Sequence, residues 1–94
     1  MVTAIVLVNV QHGRVNDVAE QLAGMDGVAE VYSVGGRFDL VAVIRVKNNE
    51  QMADLVTDHM LRVDGISNTE TLIAFRAYSR HDLERMFAIG IDEG

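Results

Sequence analysis

The chain of 94 residues contains no cysteine, no proline and no tryptophan. The absence of cysteine excludes disulfide bonds and thiolate chemistry. No segment rich in proline, serine or glycine divides the chain, so we expect a single domain over residues 1–94. Hydrophobic runs long enough to span a membrane are absent, as are a basic N-terminal segment and a cleavage-site pattern. These absences predict a cytoplasmic protein that does not enter membranes.

Positive charge is also scarce. Eight lysine and arginine residues stand against fourteen aspartate and glutamate residues, and the formal net charge is −6. Proteins that bind nucleic acid need lysine and arginine to displace counterions from the phosphates, so we expect no direct contact with nucleic acid. Hydrophobic residues nevertheless make up 49% of the chain. Because a chain this short has a limited core, this excess favours burial against a partner.

Hydrophobic periodicity predicts four strands and two long helices. Alternating or continuous apolar residues place the strands at 2–10, 28–34, 40–46 and 66–78. The first helix is predicted at 14–23, where an apolar stripe with helical spacing runs from Val15 to Leu22. Gly24 follows this stripe and is expected to end the helix.

The predicted second helix begins after Asn48 or Asn49, either of which can cap its first turn. Gly65 closes this helix. Its predicted inner stripe consists of Met52, Leu55, Val56, His59, Met60 and Val63. A short C-terminal helix around Leu83 follows the last strand, and residues 90–94 are expected to form a loose, flexible tail.

The two halves of the chain share a weak internal repeat. The runs Met25-Asp26-Gly27-Val28 and Val63-Asp64-Gly65-Ile66 lie 38 residues apart, and each leads from a helix into a strand. Each half consists of strand, helix and strand, and two such halves form the βαββαβ ferredoxin-like plan. We therefore predict an α+β fold with both helices on one face of an antiparallel four-stranded sheet.

The predicted sheet is apolar on both faces. In the first strand, Ala4, Val6 and Val8 share one face, while Ile5 and Leu7 lie on the other. The helices cover only one face, so we expect a second subunit to cover the other and form a homodimer. The alternative is that the short C-terminal helix folds over this face, although it is too short to cover four strands.

The loop between the second and third strands has an unusual composition. Its sequence is Gly35-Gly36-Arg37-Phe38-Asp39. This loop is longer than the two-residue turns that join most pairs of strands. Adjacent glycines allow backbone N–H groups to turn outward and bind an anion, and the carboxylate of Asp39 can hold a cation. Because a free amino acid carries both charges a few Å apart, we predict that residues 35–39 bind one.

Each loop residue also has a structural explanation. Gly35 and Gly36 can relieve backbone strain, and Asp39 can cap its own loop through an Asx turn. Arg37 is interpreted as a solvated charge or one half of an ion pair between subunits, and Phe38 as a packing anchor between subunits. The sequence leaves these alternatives open.

Three segments carry a resemblance to a known family. They are AIVLVNV, MDGVAEVYSVGGRFDL and VDGISNTETLIAF, in this order. Together they resemble the ligand-binding domain of the Lrp/AsnC (feast/famine) regulators, also called the RAM domain. The resemblance implies dimers joined through their sheets, rings of dimers, and an amino-acid effector bound between dimers. It also implies that residues 36–39, Thr69 and Thr71 contact the effector.

Full-length regulators of this family carry an N-terminal helix-turn-helix domain, whereas this sequence begins at the first strand. We therefore expect a stand-alone regulatory module that acts on transcription by assembling with a full-length regulator. In the predicted site, residues 35–39 of one subunit meet the fourth strand of an adjacent subunit. There, Leu72, Ile73 and Ala74 are expected to form an apolar wall for the effector side chain.

Two other functions remain open at this level. Dimeric ferredoxin-like folds also host small isomerases and cofactor-free monooxygenases, and such an enzyme would use His59, or His12 with Tyr32. It could also be a structural oligomerisation module without a ligand. No metal-ligand spacing or nucleophile motif occurs in the sequence, so we expect no metal, no cofactor and no enzymatic activity.

Overall fold

A computed structural model of the chain describes residues 1–78 and residue 80. Its strands are β1 (Val2–Val10), β2 (Val28–Ser33), β3 (Leu40–Val46) and β4 (Ile66–Ile73). Its helices are α1 (Val15–Ala23) and α2 (Asn49–Ala53), and α2 continues through a π-helical turn (Asp54–His59) into a 3-10 turn (Met60–Arg62). The predicted C-terminal helix around Leu83 and the tail at 90–94 lie outside the described residues.

The four strands form one antiparallel sheet in the order β2-β3-β1-β4. β1 pairs with β3 on one side and with β4 on the other, so that Val6 lies opposite both Ala42 and Thr71. The pairing of β1 with β4 shifts register between Asn9 and Val10, which marks a β-bulge. This topology confirms the predicted α+β, ferredoxin-like βαββαβ fold.

The core lies between the sheet and the helices. Alternate side chains of β1 and β3 are buried there, namely Ala4, Val6, Val8, Leu40, Ala42 and Ile44. Val18 and Leu22 of α1 pack on this layer, together with Met52, Leu55 and Met60. The first face of the sheet is therefore covered as predicted, and burial of its apolar area stabilises the fold by roughly 25 cal/mol per Å².

The second helical segment departs from a regular α-helix. Asn48 caps it as predicted, because its side-chain oxygen accepts a hydrogen bond of 2.9 Å from the N–H of Gln51. The buried Leu55 and Met60 are five positions apart, since the turn between them is π-helical. This wider turn rotates His59 into solvent. The prediction that His59 belongs to the inner stripe is therefore wrong.

Gly27 and Gly65, the glycines of the internal repeat, occupy equivalent turns before β2 and β4. Both have a positive φ, +94° at Gly27 and +101° at Gly65, which side chains rarely adopt. A Cβ atom on Gly27 would also lie 2.9 Å from Val46 Cγ1 and 3.0 Å from Leu55 Cδ2. A Cβ atom on Gly65 would lie 3.1 Å from Val18 Cγ2 of α1, so each glycine of the repeat lies close to the helical segment of the other half.

β4 ends at Ile73, five residues before the predicted end at Tyr78. Ile73 lies opposite Ala4, and β1 begins at Val2, so β1 offers few further residues with which β4 could pair. One further hydrogen bond joins the N–H of Ala74 to the carbonyl of Thr3 at 2.9 Å. Beyond it, Phe75 is 98% exposed.

The face of the sheet that points away from the helices is apolar at its centre. We call it the outer face and define it by Ile5, Leu7, Val41, Val43 and Leu72, which are neighbours across the strands. The first four are half-buried and Leu72 is exposed. At its rim, Glu30 and Arg45 form an ion pair of 3.6 Å. The helices of residues 1–78 pack on the opposite face.

Candidate functional site

The loop between β2 and β3 is held at both of its ends. The N–H of Val34 donates to the carbonyl of Asp39 at 3.0 Å, which closes the loop. The N–H of Asp39 donates to the carbonyl of Val8 at 2.9 Å, which attaches the loop to β1. Residues 35–38 therefore project from a fixed base at one end of the sheet.

The side chain of Asp39 bonds to β1. Its Oδ2 accepts a hydrogen bond of 2.9 Å from the N–H of Val10, next to the β-bulge. The residue is half-buried. The Asx-turn alternative has Asp39 cap its own loop, whereas the observed partner lies 29 positions away.

The loop presents backbone donors at its tip. Within the described part of the chain, the N–H groups of residues 35–38 have no protein acceptor. Gly36 has a φ of +120°, so its backbone conformation favours glycine, whereas Gly35 has neither a positive φ nor a neighbour within 4 Å of an added Cβ. Arg37 is exposed and Phe38 is half-buried. The tip can therefore offer several N–H groups to one anion.

Thr69 and Thr71 lie on the edge strand β4, on the side of the sheet that carries the helices. Thr69 is opposite Val8, and Thr71 is opposite Val6, both of which are buried under the helices. Val8 also pairs with Leu40, directly after the loop. Thr69 is therefore separated from the base of the loop by two strand spacings, from β4 to β1 and from β1 to β3, each of about 4.8 Å.

The predicted apolar wall lies farther from the loop of the same subunit. Ala74 bonds to Thr3 at the opposite end of β1, and five residues of strand separate it from Thr69, or roughly 16 Å. Leu72 belongs to the outer face, whereas Ile73 points to the other side of the sheet. In a single subunit Thr69 lies two strands from the base of the loop, whereas Leu72, Ile73 and Ala74 lie farther along β4 and away from the loop.

A separate groove lies at the far end of β3, and the sequence did not indicate it. Its volume is about 630 Å³, and its lining includes Gly27, Val46, Lys47, Asp54, Leu55 and His59. None of the ten predicted ligand residues lines this groove. Gly27 of the repeated Asp-Gly step forms part of its wall and Gly65 does not, so the repeat alone does not locate the groove.

Tyr32 and Glu30 form a polar contact on the outer side of β2. The phenol of Tyr32 donates a hydrogen bond to the Glu30 carboxylate, which also lies near Arg45. This hydrogen bond and the negative charge of Glu30 raise the pKa of Tyr32 above its ordinary value of 10.0. Tyr32 is therefore a neutral hydrogen-bond donor at physiological pH.

The residues of the alternative enzyme are not assembled into an acid–base pair. His59 lies on the π-helical turn, where its Nδ1 is 3.0 Å from the carbonyl oxygen of Asp54. His12 is exposed in the turn after β1, and Tyr32 lies on β2 with Glu30 as its partner. Among the described residues, no three His, Asp or Glu side chains form a group that could hold a metal ion.

Comparison with known proteins relates this fold to one family. The family model that describes the Lrp/AsnC ligand binding domain matches residues 3–83 of this sequence. The HTH-type transcriptional regulator FL11 of Pyrococcus furiosus is 30% identical over 77 residues, which cover 82% of this chain and 50% of that protein. The chain spans about half the length of the curated relatives it matches.

Solved structures show the same fold. The crystal structure of TTHA0845 from Thermus thermophilus has a TM-score of 0.80 and 49% identity, and the match covers 85% of this chain and all of that one. The feast or famine regulatory protein Rv3291c from M. tuberculosis, complexed with L-methionine, has a TM-score of 0.69 and 22% identity. That match covers 85% of this chain and 54% of the M. tuberculosis chain, and shows the fold alone.

Two predictions from the sequence can be compared with these matches and with the helices of the structure. The matched family is a ligand-binding domain and the relatives are named as transcriptional regulators, which agrees with the prediction of a regulatory protein and not an enzyme. In the part of the chain that the structure describes, no helix has the length and apolar character needed to cross a membrane.

Proposed function

Because this chain belongs to the Lrp/AsnC ligand-binding domain family, we propose that it senses a free amino acid and couples its binding to oligomer assembly. The module acts in the cytoplasm, as a stand-alone unit that influences transcription by assembling with full-length regulators. A net charge of −6 disfavours direct contact with DNA.

The observation that carries this proposal is the loop of residues 35–39. Its base is fixed by two backbone hydrogen bonds, and its tip offers N–H groups without protein acceptors among the described residues. A carboxylate can accept several such N–H groups at once, as anions do in backbone nests. The loop can therefore bind the α-carboxylate of an amino acid, while Arg37 adds positive charge beside it.

The outer face supports a homodimer. Its apolar side chains lie together at the centre of the sheet, and polar residues such as Glu30 and Arg45 lie at its rim. Each 100 Å² of apolar surface removed from water contributes about 2.5 kcal/mol. A second copy of the chain presents the same face, so two outer faces can pack in an isologous contact.

The ligand site lies between dimers, and rings of dimers result. Ile73 is too far from the loop of its own subunit to form the wall of its site, so an adjacent subunit supplies it, whereas Leu72 lies on the outer face and is covered in the dimer. A ligand that contacts two dimers favours the assembled state by its difference in affinity. Coupling of about 1–3 kcal/mol, or 5–150-fold, is enough for regulation. The L-methionine complex of Rv3291c supports an amino acid as the ligand class.

Thermal shift measurements with each of the twenty L-amino acids test the proposal. We expect a selective rise in Tm with one or a few of them. Gly35→Ala should abolish this rise, because an added Cβ has free space within the subunit but obstructs a ligand at the loop tip. Light scattering of the same samples should show a dimer or a larger assembly.

Gly24→Ala is the matched control, because Gly24 follows α1 at a negative φ of −83° and an added Cβ makes only ordinary contacts. This variant should respond to amino acids as the wild type does. A wild-type protein whose Tm no amino acid changes would contradict amino-acid sensing and favour the structural oligomerisation module.

A further inference from the structure

Asp39 makes three hydrogen bonds to its own chain. Its N–H and its carboxylate both bond to β1, at Val8 and Val10, and its carbonyl accepts the N–H of Val34. No other loop residue has comparable attachments within the described chain. Asp39 thus joins the two ends of the loop to the central strand.

The carboxylate of Asp39 replaces a missing backbone acceptor. β3 ends opposite Val8, so no residue of β3 is paired with Val10. The bulge between Asn9 and Val10 also disrupts the pairing of β1 with β4. A half-buried N–H without an acceptor costs about 1–3 kcal/mol, and Oδ2 of Asp39 removes that cost at Val10.

We infer that Asp39 is a positioning residue, which holds the loop tip at residues 35–38 in its binding conformation without contacting the ligand. The inference rests on the proposed function and deepens it. The sequence predicted that the carboxylate of Asp39 holds the cationic group of the amino acid. Oδ2 of Asp39 is engaged by the Val10 N–H, and we assign the ammonium group to a hydroxyl or another group at the site, with Thr69 as the nearest of the predicted hydroxyls.

The two possible roles of Asp39 respond differently to one conservative substitution. Asp39→Asn retains an oxygen that can accept the Val10 N–H but removes the negative charge. Asp39→Ala removes both. A positioning role requires only the acceptor, whereas an ammonium contact requires the charge.

The experiment measures two quantities in the wild type, Asp39→Asn and Asp39→Ala. The first is the affinity for the amino acid that gives the largest thermal shift among the twenty, determined by calorimetry. The second is the hydrogen-exchange rate of the Val10 amide. We expect Asp39→Asn to bind within threefold of the wild type with unchanged exchange. Asp39→Ala should bind at least tenfold more weakly, and its Val10 amide should exchange at least tenfold faster.

Equal losses of affinity in both variants, with Val10 still protected in Asp39→Asn, would overturn the inference and assign Asp39 to the ligand. If the wild type binds no amino acid, the proposed function fails, and the exchange rates still test the positioning role. In that case, Val10 exchange as slow in Asp39→Ala as in the wild type would refute it. Should Asp39→Ala fail to fold, the affinity of Asp39→Asn alone decides.

Discussion

The homodimer can be tested by placing a charge at the centre of the outer face. Ile5 lies between Val43 and Leu72 in neighbouring strands and is half-buried in the single subunit. Ile5→Lys leaves the folded subunit intact, because the lysine stem can lie along apolar neighbours while its ammonium group reaches water. In a dimer joined through the outer faces, the same ammonium group is removed from water.

The expected magnitude follows from the burial of Ile5. Full burial of an isoleucine side chain contributes about 1.5–3 kcal/mol, and about half of that remains for the dimer to gain, or roughly 1 kcal/mol per subunit. Desolvation of a charge costs several kcal/mol more per ion. Over two symmetric copies, the dimer should lose at least about 4 kcal/mol, which corresponds to roughly a thousandfold increase in the dissociation constant.

Sedimentation equilibrium over a range of protein concentrations measures this change. Leu61→Lys is the matched control, since Leu61 is 59% exposed on the 3-10 turn and lies away from the outer face. It should dimerise as the wild type does. An Ile5→Lys protein that dimerises with wild-type affinity would refute the assignment of the outer face as the interface. A wild-type protein that is monomeric at micromolar concentration would refute the dimer itself.

Two further predictions concern stability and titration. Gly27→Ala should lower the free energy of unfolding, measured by urea titration, by about 2–5 kcal/mol. The left-handed backbone conformation costs about 1–2 kcal/mol, and overpacking against Val46 and Leu55 costs about 1–3 kcal/mol. An equal loss of stability in Gly24→Ala would contradict this crowding. Tyr32 should titrate above pH 10.0, because Glu30 stabilises the neutral phenol. Since the folded pKa is raised, its contribution to stability is present below pH 10 and is lost as pH rises through the folded pKa. Absorbance titration should show Glu30→Gln lowering this pKa, and an unchanged titration curve would exclude the contact.

The fold was predictable because it depends on short-range patterns. Alternation in β1 and β3 places every second side chain in the core, and the same Asp-Gly step precedes β2 and β4. The turn at Gly27 combines a positive φ with a helix packed close to the sheet. Each of these features involves a few consecutive residues, so it is visible in the sequence.

The sequence by itself determined the order of the strands and helices, the apolar character of both sheet faces and the composition of the loop at 35–39, but not the end of β4 or the π-helical turn. Only the tertiary structure decided which groups meet. Asp39 finds Val10 across 29 positions, and a π-helical turn moves His59 out of the core. The sheet order also sets Ala74 at the opposite end of β1 from the loop. Such contacts depend on strand order, register and helix winding, which local periodicity does not specify.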